Sequence, residues 1–220
     1  MLKNRIKTAL KFYFITDDHA PNLSPLDQIR IALSAGATIV QYRHKSFAID
    51  DYHLAATIGD LCRQNKVPFL INDHVLLAKA LGADGVHLGQ GDASPGLARQ
   101  ILGTAAIIGL SVSNRKELQQ SSLADCDYIG TGPAFATRTK SDVKPVRGPT
   151  GLARIAELSP LPMVAIGGIT ADTVASCFQA GADGVAVISF ITRAADPLQN
   201  ALAFGKACGC HPRDMILNGH

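Results

Sequence analysis

The stretch AGADGVAVIS (180–189) decides the fold. It sets a small-residue turn at the end of a helical segment and follows it at once with a short β-branched run. Glycine suits that turn because it enters the left-handed region that closes a helix. The same unit returns as AGATIVQYR (35–43) and LGADGVHLG (81–89), and without the turn glycine as LADCDYIGTG (123–132). A unit repeated along a chain signals a repeated supersecondary structure, here helix–turn–strand.

Four more apolar runs lie between these copies: FYFIT (12–16), PFLIN (68–72), IIGLS (107–111) and MVAIG (163–167). Eight strands thus follow one another at intervals of roughly 20–30 residues, with helical periodicity between them and after the last. Ser24-Pro25, Ser94-Pro95 and Asp196-Pro197 each put a capping oxygen before a first-turn proline. Thr170 precedes a stretch with Val174, Cys177 and Phe178 on one face. Near-continuous apolar strands alternating with helices predict an α/β fold, a single closed (β/α)8 (TIM) barrel. An open doubly wound sheet would carry a Gly-rich nucleotide loop after its first strand, and FYFITDDHAPN (12–22) has none. No linker interrupts the pattern. The expected organisation is one domain over 1–220, with the barrel core at 12–205 and a tail at 206–220.

The totals narrow the function. A chain of 220 residues is long enough for one substantial core. Its formal charge is only +3, and no basic cluster has aromatics interleaved. That argues against nucleic acid and membrane partners and suits small anionic substrates. Five cysteines, an odd number at scattered positions, imply no disulfide framework and a reducing, cytoplasmic setting. The tail CGCH (208–211) lacks a second metal half-site and reads as solvated chain. Lys11 interrupts any signal-peptide core, and no apolar run approaches the ~18 residues of a membrane span.

In a parallel barrel the C-terminal ends of the strands share one mouth. Read in order, those ends carry Gln41, Arg43 and Lys45; then Asn72 and Asp73; then Gly89, Gln90 and Asp92; then Ser111. The sixth strand opens a long connection (133–150) holding Thr137, Arg138, Thr139 and Lys140, and connections of that length are usually functional. The seventh strand ends in Gly167-Gly168 and the eighth in Ile188-Ser189.

Strands seven and eight form the common phosphate site of such barrels. Gly167 and Gly168 let backbone N–H groups approach an anion, a helix starting near Thr170 adds its dipole, and Ser189 donates from its hydroxyl. The simpler alternative is that the two glycines only turn a strand into a helix. Asp73 and Asp92, on adjacent strands, match the one or two carboxylates with which magnesium is held beside substrate phosphates. The alternatives are a helix N-cap for Asp73 and a solvated loop acid for Asp92. Arg43, Lys45 and Lys140 form the cationic side of the mouth, and an arginine fork suits phosphate oxygens. His87 reads as a hydrogen-bonded barrel residue, and Tyr42 and Phe69 as core.

The ordered set QYRHK (41–45), ND (72–73), GQGD (89–92), GLS (109–111), GPAFATRTK (132–140), AIGGIT (165–170) and VIS (187–189) resembles the thiamine-phosphate synthase family, over about residues 12–205. The resemblance implies a transferase that joins 4-amino-2-methyl-5-hydroxymethylpyrimidine diphosphate to a (carboxy)thiazole phosphate. The products are thiamine monophosphate and pyrophosphate. By matching positions, the segment Gln41, Tyr42, Arg43, His44 and Lys45, with Asn72, Ser111 and Lys140, would hold the pyrimidine diphosphate. Asp73 and Asp92 would bind Mg2+. Thr137, Arg138, Thr139, Gly168, Ile188 and Ser189 would hold the thiazole phosphate. The family's reaction is dissociative, so Arg43, Lys45 and Lys140 would serve catalysis by stabilising charge on departing pyrophosphate, without a general base. Homodimers are common in the family.

The chain departs from the family pattern at three places. His44 stands where an acidic residue is usual, His74 where a second aspartate is usual, and Ser113 where histidine is common. Two other functions compete. A thiazole tautomerase-like paralogue would need a base near the fifth strand, where Ser113 stands. A non-catalytic phosphate-binding barrel would draw on the two histidine replacements.

Overall fold

Period-two alternation divides the strand residues between two cores. Phe12 and Phe14 pack outward with the helices, while Tyr13 and Ile15 pack with Ile39, Leu70, Tyr128 and Val164 in a second, inner cluster. The computed structural model describes residues 2–137 and 145–213. Eight parallel strands close on themselves in sequence order: β1 (Phe12–Ile15), β2 (Ile39–Tyr42), β3 (Phe69–Asn72), β4 (Gly85–Leu88), β5 (Ile107–Ser111), β6 (Tyr128–Thr131), β7 (Met163–Ile166) and β8 (Gly184–Val187). β8 returns to β1 with Tyr13 opposite Ala186, so no sheet edge remains. The fold is a (β/α)8 barrel, as the repeat predicts.

The helices on the outside are α2 (Pro25–Ser34), α3 (Tyr52–Gln64), α4 (Val75–Leu81), α5 (Pro95–Leu102), α6 (Arg115–Gln120), α7 (Gly148–Leu158), α8 (Val174–Gln179) and α10 (Pro197–Ala207). Their predicted caps form. The side chains of Ser24, Ser94 and Asp196 accept from the N–H groups of Asp27, Leu97 and Gln199. Such a cap contributes about 1 kcal/mol. The repeat's turn glycine also does what the pattern requires: Gly82 closes α4 at φ 59° in the left-handed region.

Four features differ from the sequence expectation. A helix α1 (Leu2–Leu10) precedes the barrel, and its Ile6 and Leu10 join the inner cluster. The helix after β7 starts at Val174 rather than near Thr170, because residues 167–173 form a separate turn. A short helix α9 (Ser189–Thr192) sits directly after β8. The start of the tail is not solvated either. Cys208 is buried in the outer core, and Arg213 donates from its backbone to Ser34 O (3.0 Å) and from its side chain to Ala37 O (3.0 Å). No described helix is long and apolar enough to cross a membrane.

Candidate active site

A cavity of about 850 Å3 opens at the C-terminal ends of the strands. Gln41, Arg43 and Lys45 reach it from β2, Asn72 and Asp73 from β3, Gly89, Gln90 and Asp92 from β4, and Ser111 from β5. Thr137 follows β6, Gly167 and Gly168 follow β7, and Ile188 and Ser189 follow β8. Residues far apart in the chain thus meet on one wall. Arg138, Thr139 and Lys140 lie outside the described residues.

Tyr42 and His44 do not line the cavity. Alternation turns Tyr42 outward into the helix-facing core, and its neighbours Gln41 and Arg43 inward. Burial pushes the Tyr42 phenol up to about 12, with the nearby Asp51 and Asp18 carboxylates adding to it. His44 stacks on Tyr42 at 6.2 Å and lies 4.0 Å from Asp51. His74 is also off the cavity wall, exposed as the N-cap of α4. Ser113 is on the wall and donates its backbone N–H to Glu117 Oε2 (2.7 Å).

Asp73 is not the helix cap that its position allowed. It has φ 64°, a conformation most side chains avoid, and its N–H is tied to His87 O at 2.8 Å. Strain of this kind concentrates at functional sites. The turn aims the carboxylate into the cavity, where Lys45 Nζ meets Oδ2 at 2.6 Å. Asp92 stands against Asp73 and accepts from Gly89 N at 2.6 Å. Burial and the adjoining Asp73 carboxyl raise the pKa of Asp92. Burial would raise Asp73 too, but Lys45 and the hydrogen bond with Asp92 hold it below its ordinary value. The two touching carboxyls thus oppose each other's ionisation, a repulsion that a divalent cation relieves. Among the described residues no group of three or more His, Cys, Asp or Glu forms a metal cage. This donor set fits magnesium, which keeps waters and takes substrate oxygens, and it does not fit structural zinc.

Gly167 (φ 99°) and Gly168 (φ 65°) both need conformations that glycine tolerates. A Cβ on Gly168 would also strike the backbone of Phe135 and Ala136. The simple turn role is therefore real, and the same turn brings Gly168 to the cavity wall beside Ile188 and Ser189. α8 begins six residues after Gly168, and α9 starts at Ser189, so it is α9 that opens at this end of the cavity.

Beneath the rim runs a hydrogen-bonded chain of which only Gln41, Ser111 and His87 were expected to be polar participants. Gln41 Nε2 donates to Tyr13 Oη (2.7 Å), Tyr13 Oη meets Tyr128 Oη (2.8 Å), His87 Nδ1 meets Tyr128 Oη (2.9 Å), and His87 Nε2 meets Ser111 Oγ (2.9 Å). Burial drives both phenols far above their ordinary range, so they stay protonated and can serve the chain. Tyr13 and Tyr128 gave no sequence signal, since a tyrosine in an apolar run reads as wall. The thiols are unsuited to nucleophilic work: burial pushes Cys62 and Cys126 up to about 12 and Cys177 to about 11.

The closed barrel, with a carboxylate pair, a cationic rim and a glycine turn around one cavity at its mouth, defines the chain as a (β/α)8-barrel protein with a charged, polar site. Residues 12–191 match the family model described as thiamine monophosphate synthase. A thiamine-phosphate synthase of Streptococcus suis is 46% identical over 195 residues, covering 86% of this chain and 84% of the relative. One from Bacillus velezensis is 39% identical over 209 residues, 93% of each chain. The solved thiamine phosphate pyrophosphorylase of Pyrococcus furiosus superposes with a TM-score of 0.82 at 34% identity, covering 93% of this chain and 98% of that one. The chain belongs to the thiamine monophosphate synthase family, transferases that act on small phosphorylated substrates.

Proposed function

We propose that this chain condenses 4-amino-2-methyl-5-hydroxymethylpyrimidine diphosphate with a thiazole phosphate, releasing pyrophosphate and forming thiamine monophosphate. The observation that carries the reading is the meeting, in one cavity, of Arg43, Lys45 and the Asp73–Asp92 pair with the Gly168–Ser189 turn. One phosphate region would take the diphosphate and the other the thiazole phosphate.

The bond between the pyrimidine methylene carbon and the diphosphate oxygen breaks, and its electron pair leaves with pyrophosphate. The thiazole nitrogen then supplies the pair for the new carbon–nitrogen bond. Arg43, whose side chain is only 11% exposed, would present its fork to the departing oxygens. Lys45 is half exposed and paired with Asp73. Such a pair is weak in water, so the ammonium is free to move onto a phosphate. Asp73 and Asp92 would hold a magnesium ion, which supplies charge neutralisation on the diphosphate. Gln41, Asn72 and Ser111 would orient the pyrimidine, with Gln41 and Ser111 held by the buried tyrosine–histidine chain. Thr137, Gly168, Ile188 and Ser189 would seat the thiazole phosphate. No step requires a general base, which accords with the inert thiols and the engaged His87.

A cytoplasmic setting agrees with the buried free thiols, and a homodimer is the assembly expected from the family. Light scattering against the 23.2 kDa chain mass tests the latter. For the function itself, pyrophosphate release is measured with each substrate alone and with both, in the presence of magnesium. Release only with both supports the synthase. Proton exchange on the thiazole alone would favour the tautomerase, and binding without turnover a non-catalytic barrel.

A further inference from the structure

The first strand supplies no residue from beyond Ile15 to the cavity wall, yet its end carries two adjacent carboxylates that are nearly inaccessible. The Asp17 side chain is 2% exposed and the Asp18 side chain 3%. Both lie past the last residue of β1, Asp18 within a turn, and the two carboxylates grip different neighbours. Asp17 accepts from Arg193 Nε (2.7 Å) and Nη2 (3.3 Å) and from Thr192 Oγ1 (3.2 Å), at the far end of the four-residue helix that Ser189 begins. Asp18 accepts from Lys45 N (2.8 Å) and touches Arg43 Nη1 (3.4 Å). The frame behind them is itself tied. Gln28, fully buried on α2, accepts from Asp17 N (2.9 Å) and donates to Asp17 O (2.9 Å). Thr16 Oγ1 accepts from Arg43 N (2.8 Å) and donates to Arg43 O (3.0 Å).

We propose that Asp17 and Asp18 are paired positioning residues, Asp17 setting the Ser189 phosphate turn and Asp18 setting Arg43 and Lys45. The inference rests on the two-phosphate reading above. It adds that one dipeptide registers the two subsites against each other. Neither carboxylate lines the cavity, so each acts through the residues it holds. Buried carboxylates opposing an anion site would be a poor choice unless orientation were their function. The 3.4 Å contact from Asp18 is long, so it aims Arg43 without consuming its charge.

The test is a selective split. In Asp18→Asn, KM for the pyrimidine diphosphate and the dissociation constant of inorganic pyrophosphate with magnesium should rise by roughly tenfold or more, by analogy with outer-shell partners. KM for the thiazole phosphate should stay within about twofold. Asp17→Asn should do the reverse. Where Asp17→Asn folds poorly, Arg193→Gln should give the same thiazole-selective loss. Equal changes in both constants, or no change in either, would overturn the pairing. The pyrophosphate titration stands apart from turnover. A wild-type chain that released no product would sink the proposed function, while Asp18→Asn binding pyrophosphate as well as wild type would sink this inference.

Discussion

Replacing Arg43 by alanine tests the electrostatic account at its strongest point. The side chain is 11% exposed and lines the cavity, and its guanidinium meets Asp18 in a long contact of 3.4 Å. Its loss should cost little fold stability, because the stem lies at the rim and Asp18 keeps its bond from Lys45 N. The effect should fall on the leaving group instead. A preorganised donor aimed at charge that develops in the transition state contributes on the order of 3 kcal/mol. That corresponds to roughly a 150-fold loss in kcat/KM for the pyrimidine diphosphate, at about 1.36 kcal/mol per decade. Arg43→Lys keeps the charge but loses the fork, and should recover no more than about tenfold of that loss. The assay is continuous pyrophosphate release with both substrates saturating in turn, beside a thermal melt of each variant. A folded Arg43→Ala chain working within threefold of wild type would refute the reasoning.

Three further outcomes follow from the same geometry. Asp92→Asn keeps an oxygen to accept from Gly89 N but removes one of the two carboxylates proposed to hold magnesium, so the magnesium concentration for half-maximal activity should rise at least tenfold; an unchanged requirement would remove Asp92 from the proposed metal site. Gly168→Ala combines φ 65° with a collision against the Phe135–Ala136 backbone, and should lower stability by more than about 1 kcal/mol while raising KM for the thiazole phosphate; a melt and KM like wild type would count against the turn. Asp17 is lowered although its burial acts to raise it, because hydrogen bonds from Arg193, His19 N and Thr192 and the charge of Arg193 prevail. A depressed carboxyl contributes stability that is complete above its unfolded value of about 4 and is lost as pH falls through the lower folded value. Asp17→Asn should therefore cost about 2 kcal/mol at pH 7, discounted for the 37% exposed Arg193 side chain. In urea melts the gap from wild type should narrow as pH drops below about 4, and a gap constant with pH would contradict the pair.

Strand order and the rim were legible because they rest on period. Apolar runs, their spacing and the cap residues are local signals, and a parallel barrel turns every strand end toward one mouth. So Gln41, Arg43, Asp73, Asp92 and Ser189 could be placed together without coordinates. Alternation also explains why Tyr42 and His44 leave the cavity wall: every second residue of QYRHK faces the helices, so Tyr42 is the core residue its apolar setting suggested. The tyrosine–histidine chain stayed hidden because Tyr13 and Tyr128 sit in apolar runs, and only the closed barrel shows which face is inner. Asp17 and Asp18 stayed hidden for a different reason. Their partners Arg193, at the end of α9, and Arg43, just past β2, are far away in the chain, and nothing local in FYFITDDHAPN announces them. Helix α1 and the docking of Arg213 depend on long-range contacts that no local pattern announces.

The most direct measurement is a crystal structure of the chain soaked with magnesium, pyrophosphate and thiamine monophosphate. The account predicts pyrophosphate against Arg43 and Lys45, one ion shared by Asp73 and Asp92, and the product phosphate at Gly168 and Ser189. Pyrophosphate settled away from Arg43, or an ion touching neither aspartate, would contradict it.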